Sequence, residues 1–171
     1  MSFSLGKQLK FIDLFQFMST SLATLVNNLK KSGIENFKCM KNEFGDDIEL
    51  LLRKGMYPYS FMDNWDKFKL SPNALKQDDF IDDLTGKNIS NDDFEFFNLV
   101  CNKMNIKNMG EYHDLYLKTD VLLLADVFEN FRKVYNNYYK LDPCHYISSP
   151  GLSWDACFKM TKKELELLTE L

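Results

Sequence analysis

Histidine, proline and glycine are scarce in this 171-residue sequence, with 2, 4 and 7 copies. The histidines, His113 and His145, have no ligand-like spacing with each other or with a cysteine, and are expected at the surface or in the core. The 4 cysteines, Cys39, Cys101, Cys144 and Cys157, include no C-x-x-C pair. Neither a zinc site nor a disulfide framework is indicated, which leaves packed, reduced thiols. No internal repeat or low-complexity segment appears, so fibrous and solenoid architectures are excluded. Positive charge is also short: 21 Lys and Arg against 25 Asp and Glu give a net charge of -4. Lys30 and Lys31 form only an isolated pair, so the surface does not grip phosphate backbones by bulk electrostatics, and any nucleic-acid contact must be local. The opening "MSFSLGKQLKFIDLF" lacks the apolar core of a signal peptide, and nothing later approaches a membrane span. The expected setting is intracellular, without a membrane partner.

What the sequence does have is apolar and aromatic mass. It is 45% hydrophobic and 15% aromatic, with 15 Phe and 8 Tyr, far from the composition of a disordered chain. Its length suits one ordinary domain, or one domain with part of another.

"KFIDLF", residues 10–15, is dense in apolar residues and too short for a helix, so a strand is predicted. In the following "STSLATLVNNLKKSG", Ser19 or Ser21 caps a helix carrying Leu22, Leu25, Val26 and Leu29, and Gly33 stops it. "FKCM" is a further strand candidate. "LLLRKGMYPYSFMDNWDKF" is an irregular, aromatic-rich connection, punctuated by Gly55 and Pro58, whose rings pack onto the core. Asp63 and Asp66 within it suit ligands, but turn and cap roles are the ordinary use of loop aspartates. Ser90 and Asp93 form a variant capping box ahead of Phe94, Phe97, Val100, Cys101 and Met104 at helical spacing. Asn108 and Glu111 then open a pattern that continues to about Tyr139, a helix roughly 45 Å long. Pro143, Pro150 and Gly151 end it, and a short helix restarts under Ser153 or Asp155.

Two apolar stripes run along the long helix. Leu117, Val121, Leu124, Phe128, Phe131, Tyr135 and Tyr138 make the expected core seam. Tyr112, Tyr116, Asp120, Leu123 and Val127 make the second, which Asp120 interrupts. Asp114 is expected to pair with Lys118, and Asp126 to lie on a polar face with Thr119, Glu129 and Asn130. Between Tyr116 and Leu123, an ionised Asp120 loses hydration and needs a hydrogen bond, a cation or a metal in return. Tyr116 lies one turn away on the same face. A Tyr-x-x-x-Asp site and an Asp reaching solvent or a local donor at the core edge are both compatible with this pattern.

The stretches "GEYHDLYLKTDVLLLADVFENFRKVY" and "LDPCHYISSPGLSWDACFKMT" resemble protein-primed family B DNA polymerases of Maverick/Polinton-type mobile elements and related viruses and linear plasmids. "FIDLFQFMSTSLATLVNNL" and "LLLRKGMYPYSFMDNWDKF" resemble preceding segments of the same proteins, in the same order. The resemblance implies that Tyr116 and Asp120 are the third motif of a 3′-to-5′ proofreading exonuclease on a ribonuclease-H-like fold. Asp120 would be a ligand of Mg2+ or Mn2+ in the complete enzyme, and Tyr116 would orient the attacking water. DNA, and a terminal priming protein, are the implied partners.

Such a nuclease works with two ions held by several carboxylates. The family's Asp-x-Glu strand and its second motif belong upstream of "FIDLF", where only the 10 residues "MSFSLGKQLK" stand, and they contain no acid. The polymerase palm carboxylates are likewise not found. The expected arrangement is therefore a mainly helical α/β fragment, a partial ribonuclease-H-like exonuclease fold with a long central helix. Residues 1–142 would be the C-terminal part of the exonuclease domain, and 143–171 would lead into the polymerase domain. By itself such a fragment is expected to be inactive, to hold metal weakly and to expose an apolar sheet face. A non-catalytic interaction module and a decayed mobile-element remnant are the alternatives.

Overall fold

The computed structural model describes residues 3–6, 9–45, 48–81, 83 and 85–164. Among the described residues the chain is mainly helical, with one small two-stranded sheet, as the sequence indicates. Strands β1 (Phe3–Leu5) and β2 (Leu9–Phe11) precede helices α1 (Leu22–Lys31), α2 (Lys38–Phe44), α3 (Ile48–Leu51), α4 (Asn91–Lys103), α5 (Met109–Tyr139) and α6 (Ser149–Thr161). Two compact units are formed, residues 22–126 on the one hand and residues 1–21 with 127–171 on the other.

In the unit of residues 22–126, α1 starts directly after Ser21 and buries Val26 and Leu29. Gly33, at φ 120°, takes the chain out of it through a backbone conformation that suits glycine. "FKCM" does not form a strand: Lys38, Cys39 and Met40 open α2. The cause is a partner far along the chain. The Asp126 carboxylate accepts the amides of Cys39 and Met40 at 2.8 and 3.0 Å, two of the first-turn groups that a helix cannot satisfy itself. Phe37, the residue before α2, supplies no side-chain cap.

Asp126 is therefore not on a polar face; it is 1% exposed, and its neighbour Thr119 is buried too. Thr119 Oγ1 donates to the Leu115 carbonyl at 2.7 Å. The expected seam holds at Phe128 and Phe131, which pack on Phe17, and fails at Leu117, Val121 and Tyr138. Leu117 and Val121 are more than half exposed and Tyr138 is 78% exposed, whereas Tyr112, Leu123 and Val127 are buried. Both stripes have helical period, and periodicity alone does not rank them. Two polar residues, Thr119 and Asp126, mark the inner face because each finds a backbone partner there. Lys118 pairs with Glu43 at 2.6 Å rather than with Asp114.

The remaining elements of this unit follow their local signals. Ser90 accepts the Asp93 amide at the start of α4 and donates back to its carboxylate. Asn108 and Glu111 exchange bonds at the start of α5. Phe37, Met40, Leu52, Phe97, Met109 and Leu123 are wholly buried.

In the other unit, the strand predicted over 10–15 is shorter and earlier. Asp13 caps a 3-10 turn at Leu14–Gln16 instead. β1 and β2 form an antiparallel hairpin with Phe3 opposite Phe11 and Leu5 opposite Leu9. Its apolar face is exposed. Phe17 is buried and contacts Phe128 and Phe131, each at 6.1 Å between ring centres. Helix α5 ends before the first proline, because Lys140 turns left-handed at φ 55°. Pro143 and Pro150 occupy the first turns of the next two helical segments, where the missing amide costs nothing. Helix α6 thus begins at Ser149, ahead of Ser153 and Asp155, and ends at Thr161, where Lys162 turns left-handed; residues 165–168 of the predicted segment lie outside the described residues. Arg132 closes this unit with a two-pronged bond to Asp142 at 3.0 and 2.6 Å and a second carboxylate, Glu129, at 2.6 Å.

Candidate functional site

Gly55 sets the site's geometry. A Cβ there would meet the Tyr116 ring at 3.2 Å and the Tyr112 hydroxyl at 3.5 Å, so glycine lets the irregular connection lie directly on α5. That connection brings Lys54, Tyr57 and Tyr59 to the turn of α5 that carries Tyr112, His113 and Tyr116. Tyr57 is the hub: its ring centre lies 5.0 Å from those of Tyr59 and Tyr116 and 5.4 Å from that of His113. The hydroxyls are used as well. Tyr59 and Tyr116 share a hydrogen bond of 2.7 Å, Tyr57 and His113 Nδ1 one of 2.8 Å, and Tyr112 donates to the Met56 carbonyl.

Asp120 lies one turn beyond Tyr116 on the same face. Its Oδ1 is buried without a hydrogen-bond partner, the only such side-chain atom among the described residues. Desolvation raises the carboxyl above the usual aspartate range, while the nearby Lys54 ammonium and the Tyr116 hydroxyl pull it back down. Burial is also the largest cause holding Tyr116 in its phenol form, followed by its bond to Tyr59 and the charge of Asp120. At neutral pH this turn therefore offers a neutral hydroxyl, an under-solvated carboxylate and a lysine charge. A carboxylate so placed has an acceptor oxygen to give to a cation, a proton or water.

Tyr116, but not Asp120, lines a cavity of about 550 Å³, whose walls also include Lys54, Tyr57, Tyr59, Lys87 and Asn88. Polar groups converge there on aromatic walls, the usual make-up of a ligand pocket.

Of the residues singled out in the sequence, Tyr116 and Asp120 are brought together. Asp63 and Asp66 are elsewhere in function: each pairs locally, with Lys67 and Lys69 at 2.9 Å. Lys54, Tyr57 and Tyr59 were legible only as packing aromatics and a stray charge; the Lys-Gly-x-Tyr-Pro-Tyr string held the signal, since its glycine permits close approach and Pro58 is buried. His113 packs in the aromatic cluster against Tyr57 and Phe68 and shares a hydrogen bond with the Tyr57 hydroxyl. No three His, Cys, Asp or Glu residues come together to hold an ion among the described residues. Asp120 thus fits one ligand position of a divalent cation, and the described residues do not supply a set.

Comparison of the chain with protein-family models, curated proteins and solved structures returns no match. No helix among the described residues is long and apolar enough to cross a membrane.

Proposed function

We propose that this chain is the part of a protein-primed family B DNA polymerase that carries the third motif of its 3′-to-5′ exonuclease, within a ribonuclease-H-like fold. On this reading residues 1–142 belong to the exonuclease and 143–171 lead towards the polymerase domain. The observation that carries it is Asp120 Oδ1, buried and unpaired one turn from Tyr116. Left unbonded, such an atom costs the fold about 1 to 3 kcal/mol. A cation-binding site has a use for it.

When bound, Mg2+ or Mn2+ supplies charge stabilisation and an activated water in phosphodiester hydrolysis. What these residues do themselves is narrower. Asp120 would contribute one oxygen ligand, and the remaining ligands would have to come from outside the described residues. The Tyr59 hydroxyl fixes the Tyr116 hydroxyl on the cavity wall at 2.7 Å, and burial keeps it protonated so that it can donate. Lys54 adds a positive charge that favours an anionic backbone in the same cavity. DNA is the substrate this reading implies, and a priming protein is a partner of the larger enzyme.

Paramagnetic broadening by Mn2+ in amide spectra of the full chain is suited to a weak, single-carboxylate site. The amides of Tyr116 and Asp120 should broaden first, and Asp120→Asn should abolish that preference. Broadening centred elsewhere, or identical in the variant, would remove the basis for the reading.

The second reading, a non-catalytic interaction module, draws on the hairpin, whose Phe3, Leu5, Leu9 and Phe11 are 44 to 69% exposed. It predicts self-association or partner binding that Phe3→Ser with Phe11→Ser removes, while Mn2+ broadening stays uniform over the surface.

A further inference from the structure

We draw no further inference here: the strongest candidate, the outward face of α6 where Trp154 stands exposed with its ring against Phe158, is an unpartnered apolar face, and nothing in the structure shows what covers it.

Discussion

Asp120 and Asp126 are six positions apart on α5 and face opposite fates. Asp126 is nearly inaccessible, yet both its oxygens accept backbone amides of α2. Asp120 is less deeply placed, yet one of its oxygens has nothing to bond. Burial alone therefore does not separate an acid that the fold satisfies from one that it leaves unsatisfied; the state of its hydrogen bonds does. A carboxylate that caps a helix from across the unit belongs to the fold. One that is desolvated beside a tyrosine and a lysine is a cost to the fold and a candidate for chemistry.

The contrast breaks most readily at Asp126. Asp126→Ala should destabilise the protein by about 3 kcal/mol in urea unfolding, because two buried amides lose a charged acceptor. A loss below about 1 kcal/mol would mean that α2 is capped by other means. Asp126→Asn, which keeps one acceptor, should fall between the two.

Asp120→Asn should have the opposite sign, a gain of about 1 kcal/mol near neutral pH. Its pH dependence sharpens the point. The folded carboxyl is raised above its unfolded value, so lowering the pH protonates the native state first and relieves the cost. The advantage of Asp120→Asn should thus shrink as pH falls from neutrality towards the ordinary carboxylate range. An advantage that grows on acidification would reverse the assignment.

Arg132 offers a control of the other kind. It holds the Asp142 carboxyl well below the ordinary range. That contribution is present above the unfolded aspartate value and is lost as pH falls below it. Arg132→Met should cost about 1 kcal/mol at neutral pH and progressively less in acid. Together with Asp120→Asn it gives two acids whose pH responses run in opposite directions.

The smallest effect is expected at Tyr59. Tyr59→Phe removes the bond to Tyr116 but leaves the ring contacts with Tyr57, and should change stability by less than about 0.5 kcal/mol. A larger loss would make the tyrosine pair a structural element and not a poised one.

The sequence made several of these features legible. The capping residues Ser90, Asn108 and Glu111 act on amides three or four places away, so local spacing revealed them. The Tyr116–Asp120 pair was visible because an acid broke an apolar stripe. What local spacing could not reveal was set by distant partners. Asp126 meets α2 more than 80 positions away, which misplaced the polar face of α5 and turned a strand candidate into a helix. Likewise, two apolar stripes of equal period were ranked wrongly at Leu117 and Val121, because the inner one there is marked by polar groups whose partners are backbone atoms. Lys54, Tyr57 and Tyr59 needed the close approach at Gly55 before they became part of a site.

The most direct measurement is a carbon-detected NMR titration of the Asp120 side-chain carboxyl. The expected midpoint lies above the usual aspartate value of about 3.9, as its desolvation requires. A midpoint at or below that value would show a solvated or bonded carboxylate, and Asp120 would lose its claim to a functional role.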